Sequence, residues 1–251
     1  MNLDNVLALL GLLLLLALSL AAALLYRRFF GERKQEKTRA ALLHQMAFDA
    51  FIIALQLVMT FVPNMGFIQI GPFSLTLLHL PVLLGAALFG WKRGLLYGLV
   101  FGLCSWVKAL TAAASVFDIA FQKIWVSLPP RAIFGLLAGL GFSLLRQLSK
   151  GHVKGVYLAV VAAAATCLHT VLVFLDLSLS TDWVWRWLAN QDASFLGGKV
   201  TIAAFLALAM AGEALLGALL TPTLYRVLSK AIPSLRPSIA AAPSGQDDHQ
   251  Q

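Results

Sequence analysis

Charge is the property that this sequence has least of. Among its 251 residues only 12% are Asp, Glu, Lys or Arg, whereas 60% are hydrophobic. Soluble domains are about 25% charged and about 45–50% apolar. Such a chain has too little polar surface to cover a water-soluble body, so we expect it to fold in a lipid bilayer.

Catalytic and metal-binding motifs are also missing. The two cysteines, Cys104 and Cys167, lie within apolar runs and form no Cys/His spacing of the kind that binds metals. The sequence contains no Walker A, HExxH or GxSxG motif, which excludes ATP hydrolysis by a P-loop. We therefore predict neither an enzyme nor a cofactor-binding or metal-binding protein.

The net charge of +8 indicates membrane topology rather than nucleic-acid binding. Basic clusters at 27–44, 91–94, 146–154 and 226–236 alternate with connections at 63–73, 113–123 and 178–198 that are poor in Lys and Arg or offset by Asp. The positive-inside rule assigns the basic clusters to the cytoplasm. The N-terminus is then outside, and the connections poor in Lys and Arg lie at the outer face.

Apolar runs predict seven membrane spans, at about 3–26, 45–62, 74–89, 95–112, 129–145, 155–177 and 199–220. Pro129 and Pro130 fit the first turn of the fifth span. The fold class is thus an all-α integral membrane protein with a six-helix core and one extra N-terminal transmembrane helix. The predicted regions are the extra helix (1–30), a basic cytoplasmic connector (31–44), the membrane domain (45–230) and a disordered tail (231–251).

Ionisable side chains inside the spans are functional candidates, because charge in lipid is costly. These residues are Asp49, His79, Lys108, Arg131, His169 and Glu213. The topology places His79, Lys108 and Arg131 near the outer face. An Arg at a helix N-terminus can hold a carboxylate in a bidentate pair, so an anion-binding pocket open to the outside is one interpretation.

Structural roles are the alternative for each of these side chains. Lys108 could reach the lipid headgroups, and Arg131 could pair with Asp118. Asp49 could pair with a basic residue of the connector, and His169 could be a hydrogen-bonded interior histidine. Glu213 could contact a ligand, carry a proton or pair with a buried partner.

Small residues at four-residue spacing predict close helix packing. They are Gly94, Gly98 and Gly102 in the fourth span, Gly135 and Gly139 in the fifth, and Ala50 and Ala54 in the second. The pattern does not tell packing within the chain from packing against a partner.

Several motifs in order resemble one family. Residues 74–86 (SLTLLHLPVLLGA), 89–94 (FGWKRG), 98–103 (GLVFGL) and 128–135 (LPPRAIFG), followed by Glu213 and Pro222, are similar to the substrate-binding S components of energy-coupling factor (ECF) vitamin transporters. The resemblance covers about 45–230 and is strongest for the pantothenate-type members. It implies a plasma-membrane vitamin binder that works with a T component and two ATPase subunits.

The resemblance also implies a ligand pocket near the outer face. The candidate contacts are Asn64, Gln69, His79, Lys108, Gln122, Arg131 and Glu213. Ala50 and Ala54 would face the T component. Riboflavin or folate is the alternative vitamin, and a stand-alone facilitator or a membrane enzyme or assembly factor is the alternative function.

Overall fold

The computed structural model describes residues 3–30, 39–70, 73–113, 116–149, 154–180 and 202–232. Its helices are α1 (Leu3–Phe30), α2 (Arg39–Phe61), α3 (His79–Phe89), α4 (Trp91–Thr111), α5 (Val116–Phe121), α6 (Ile124–Leu148), α7 (Gly155–Ser180) and α8 (Ile202–Ala231), and two strands, β1 (Phe67–Ile70) and β2 (Phe73–Thr76), lie between α2 and α3. Most of the predicted connector (31–38), the tail from 233 and nearly all of the 178–198 connection lie outside the described residues.

Five of the described helices are long and apolar enough to cross a membrane. They are Leu42–Phe61, Trp91–Thr111, Ile124–Leu148, Gly155–Ser180 and Ala207–Ala231. Helix α3 is shorter and apolar, and it is buried over nearly its whole length. This predominantly helical arrangement is consistent with the predicted all-α integral membrane protein.

A β-hairpin replaces the first part of the predicted third span. Strands β1 and β2 pair antiparallel, with Phe67 opposite Thr76 and Ile70 opposite Phe73. The Leu77 amide then donates to the Gly66 carbonyl over 2.8 Å, which closes the open end of the hairpin. The expectation of a helix from 74 was therefore wrong, because the alternation in Phe73–Thr76 is the period of a strand.

Glycines bring α4 and α6 into backbone contact. A Cβ atom added at Gly94 would collide with the carbonyl oxygen of Gly135, and one added at Gly135 would collide with that of Gly94. A Cβ at Gly98 would meet the Arg131 carbonyl oxygen in the same way. The small-residue pattern of these two spans thus serves packing within the chain, as in close helix pairs of other membrane proteins.

Helix α1 packs against α6 and α7, with Ser19 and Ala23 buried. Helix α2 packs instead against α3 and α4. Ala50 and Ala54 on α2 are exposed. Helix α1 therefore leaves the small-residue face of α2 uncovered.

Candidate functional site

Arg131 is a buried guanidinium whose orientation follows from the neighbouring proline. Helix α6 begins at Ile124, so Pro129 and Pro130 lie in its second turn and not in the first, as the sequence had predicted. Pro130 has no N–H to donate to the Val126 carbonyl four residues earlier. Arg131 Nη1 donates to that carbonyl instead, over 2.8 Å.

Two aromatic rings enclose the same guanidinium. Arg131 Cζ lies 4.5 Å from the centroid of the Phe121 ring and 5.7 Å from that of Phe101. Its Nε–H has no hydrogen-bond partner among the described residues, although Arg131 is only 4% exposed. This donor is therefore unused within the part of the chain that the structure describes.

His79 begins α3 and is completely buried. Its Nδ1 lies 2.7 Å from the Thr76 carbonyl oxygen. Because a carbonyl can only accept, Nδ1 carries the hydrogen, and Nε2 of the neutral ring is left as an acceptor. Nε2 has no partner in the described part of the chain.

His169 on α7 lies against the same aromatic side chains. Its ring centroid is 4.8 Å from that of Phe134, 5.4 Å from that of Phe101 and 6.3 Å from that of His79. Neither ring nitrogen has a hydrogen-bond partner in the ranges described, although His169 is 4% exposed. The described residues therefore offer no support for the interpretation of a hydrogen-bonded interior histidine.

Two buried carboxylates complete this group of side chains. Glu213 Oε1 accepts the Thr76 amide over 2.8 Å, and Oε2 accepts the Thr170 hydroxyl over 3.3 Å. Asp176 accepts the Ser180 hydroxyl at Oδ1 over 3.1 Å, whereas Oδ2 has no partner among the described residues. Both carboxyl groups lie close enough to Arg131 to interact with it electrostatically.

Asp176 is the residue of this group that sequence reasoning missed. It lies seven residues after His169, a spacing that puts both side chains on one face of α7. This spacing from His169 is the feature of the sequence that could have identified Asp176 as a candidate. We name Arg131, His79, His169, Asp176 and Glu213 the polar cluster.

The family comparison decides what kind of protein carries this cluster. A family model described as "ECF transporter, substrate-specific component" matches residues 44–232. The chain belongs to this family. It is therefore a substrate-specific (S) component of a transporter and a multi-pass protein of the plasma membrane, as the motifs had predicted.

Two curated relatives agree with the family. The S component is 29% identical over 197 residues to "Pantothenic acid transporter PanT" of Lactococcus lactis subsp. cremoris. The aligned region covers 73% of this chain and 91% of the relative. The S component is 26% identical over 102 residues to "Pantothenate transporter PanT" of Leuconostoc mesenteroides subsp. mesenteroides, covering 39% of this chain and 50% of the relative.

Lys108 of the S component lies at the end of α4, outside the polar cluster. Its Nζ is 3.4 Å from Asp118 Oδ2 and 4.5 Å from the Phe67 ring centroid. The predicted alternative partner of Arg131, Asp118, is thus paired with Lys108. Lys108 joins α4 to both α5 and the hairpin.

The other three predicted contacts lie in the connections. Gln122 is exposed, and its Nε2 donates to the Ala109 carbonyl over 3.1 Å. Asn64 is exposed in the turn after α2 and has a φ of 57°. Gln69 lies opposite Ser74 in the hairpin, and its side chain is outside the described part of the structure.

Asp49 also has a partner other than the one expected. Arg93 Nη1 lies 3.0 Å from its Oδ2, and the Tyr97 hydroxyl donates to its Oδ1. Its partners among the described residues are therefore on α4. This ion pair fastens α2 to α4 at the end of the bundle opposite the hairpin.

Proposed function

We propose that this S component binds pantothenate at the polar cluster for uptake into the cell. Both curated relatives are named as pantothenate transporters. The observation that carries the proposal is that five buried atoms of the polar cluster have no hydrogen-bond partner among the described residues, namely Arg131 Nε, His79 Nε2, both ring nitrogens of His169 and Asp176 Oδ2. Each such atom costs about 1–3 kcal/mol unless something bonds to it. Concentrated in one region, they favour a site that a polar ligand completes.

The hydrogen-bonding capacity of these atoms fits the vitamin. Arg131 can only donate, which suits a carboxylate, whereas His79 Nε2 can only accept. An ionised Asp176 would also accept. A ligand for this site thus combines an anionic group with hydroxyl or amide donors. Pantothenate has a carboxylate, two hydroxyls and an amide.

The topology that we propose places the hairpin end outside. The hairpin, Lys108 and the first turns of α6 lie at this end of the bundle. The other end carries Arg93, Arg146 and Arg226. Arg146 donates there to the Ala87 carbonyl over 2.6 Å, and the Arg226 guanidinium lies beside Gly155. A basic end is expected in the cytoplasm, so the cluster would load from outside.

We further propose that α2, α3, α4, α6, α7 and α8 form the six-helix core (45–230), to which α1 (within 1–30) is an addition. The family match from 44 to 232 supports this division, since it excludes α1. Residues 31–44 would then connect the two in the cytoplasm, and 231–251 would form a tail. The exposed Ala50 and Ala54 would dock on the T component, and two ATPase subunits would supply the energy, so that this chain has no catalytic role.

Titration calorimetry on the purified full chain in detergent tests the ligand. We expect saturable binding of pantothenate. Arg131→Gln should weaken it about 10- to 150-fold, the range for a hydrogen bond to a charged group. Arg28→Gln, an exposed change at the end of α1, is the matched control and should bind normally.

Three results would count against the proposal. Tight binding of riboflavin or folate instead would keep the family but reject pantothenate. No binding of any vitamin by demonstrably folded protein would point to a facilitator or an enzyme. Normal binding by Arg131→Gln would remove the polar cluster as the site.

A further inference from the structure

The peptide group of Thr76 is held on both sides by side chains from other elements. Its N–H donates to Glu213 Oε1 of α8, and its carbonyl accepts from His79 Nδ1 of α3. Thr76 is the last residue of β2 and lies opposite Phe67. The neighbouring amide, that of Leu77, points the other way and bonds to Gly66.

This geometry leaves the Thr76 amide on the outer edge of the hairpin. Amides of successive strand residues point to opposite sides, so the Thr76 N–H cannot bond to β1 when that of Leu77 points toward it. An edge amide of this kind is normally exposed to water or to another chain. Here a buried carboxylate occupies the position that a third strand would take.

Glu213 is fully engaged in this contact. Its second oxygen lies 3.3 Å from the Thr170 hydroxyl of α7, which is equally far from the Thr166 carbonyl oxygen, and Glu213 is 7% exposed. Both oxygens thus have protein partners, in contrast to Asp176 Oδ2. The carboxylate joins β2, α7 and α8 at one point.

The hairpin crosses the bundle beside the polar cluster. Its first strand contacts α4, where the Phe67 ring lies 4.5 Å from Lys108 Nζ. Its second strand ends at the Glu213 contact, and the Thr76 carbonyl rests on His79. Phe67 and Thr76 are opposite each other in the register, so the base of the hairpin is held to α4 on one strand and to α8 and α3 on the other.

We propose that Glu213 is a positioning residue that holds the hairpin shut beside the ligand site, and that it does not contact the ligand. Moving the base of the hairpin away from α8 requires the Thr76–Glu213 hydrogen bond to break. An ionised Glu213 makes this bond stronger than an ordinary strand bond. The part of this inference that concerns ligand exchange rests on the proposed function.

Hydrogen exchange on the ligand-free full chain tests the anchor directly. Glu213→Ala should speed exchange in the peptide covering 73–77 about 10-fold or more, the factor for loss of a hydrogen bond to a charged group. Glu213→Gln keeps an acceptor oxygen and should retain most of the protection. Thr223→Val, on the exposed face of α8, is the control and should leave exchange at 73–77 unchanged. Unchanged exchange in Glu213→Ala would overturn the proposal.

Binding kinetics separate a positioning residue from a ligand contact. If Glu213 holds the hairpin, Glu213→Ala should raise both the association and the dissociation rate of pantothenate, with a smaller change in Kd. Thr170→Val, which removes the second partner of Glu213, should change both rates in the same direction. If only the dissociation rate rises, and rises as much in Glu213→Gln as in Glu213→Ala, then Glu213 contacts the ligand and the proposal is overturned.

The two readouts also distinguish this inference from the proposed function. Hydrogen exchange needs no ligand, so the anchor is decided even if pantothenate does not bind. Fast exchange in Glu213→Ala without pantothenate binding would reject the vitamin and keep the anchor. If Glu213→Ala does not fold, Thr170→Val provides the same measurements with a milder change.

Discussion

A single methyl group at Gly98 should loosen the contact between α4 and α6. In Gly98→Ala the new Cβ would collide with the Arg131 carbonyl oxygen and lie 3.2 Å from the Gly135 Cα. Both atoms belong to the backbone, so relief requires the helices to separate. Overpacking of this kind costs about 1–3 kcal/mol.

Gly212→Ala on α8 is the matched control, because a Cβ there meets nothing within 4 Å. Alanine is favoured over glycine inside a helix by about 0.5–1 kcal/mol, and this gain applies equally to both variants. The difference between them therefore isolates the packing cost. At about 2–4 °C per kcal/mol for a chain of this size, we expect Gly98→Ala to melt about 2–12 °C below Gly212→Ala.

Thermal unfolding of the two purified variants in one detergent measures this difference. Pantothenate affinity should fall in Gly98→Ala alone, since the displaced carbonyl belongs to Arg131. Equal melting temperatures would refute the close contact of α4 and α6. A lower melting temperature with unchanged affinity would show that Arg131 tolerates movement of its own backbone.

Three further changes test other parts of the bundle. Ala54→Trp should leave pantothenate binding by the purified protein unchanged and reduce uptake by cells that contain the T component and ATPases, and normal uptake would remove this face as the docking surface. Tyr97→Phe removes the hydroxyl that donates to Asp49 and should cost about 1.5–3 kcal/mol in thermal unfolding, whereas an unchanged midpoint would show that Asp49 does not need it. Lys108→Met removes the ion pair with Asp118 and should speed hydrogen exchange in 116–123, and unchanged exchange would contradict its role in holding α5.

Much of the helical framework follows from apolar length alone. Predicted spans at 95–112 and 155–177 correspond to Trp91–Thr111 and Gly155–Ser180, which begin and end within four residues of the prediction. The hairpin was missed because its two strands are only four residues each and adjoin a long apolar run. Hydropathy averages over such a run and conceals a period of two.

The polar cluster was predictable in most of its residues and not in its contacts. Four members of the polar cluster followed from the cost of ionisable groups in lipid, whereas Asp176 escaped because it lies near the end of its span. Partners such as Lys108 for Asp118 and Arg93 for Asp49 depend on which helix faces meet. Which faces meet is decided only in the folded bundle, and the alternation of charge along the chain does not predict it.

The missing amide hydrogen of Pro130 has a consequence for ligand affinity. An arginine side chain has about 2 kcal/mol of rotamer entropy to lose when a ligand immobilises it. The Val126 carbonyl, which lacks a helical N–H partner, accepts from Arg131 and already fixes its side chain in the free protein. Most of the rotamer entropy is therefore lost during folding and not on ligand binding. Under the proposed function, a residue at 130 with an N–H would restore the helical hydrogen bond and release the guanidinium, so pantothenate affinity would fall although none of the proposed ligand contacts had been replaced.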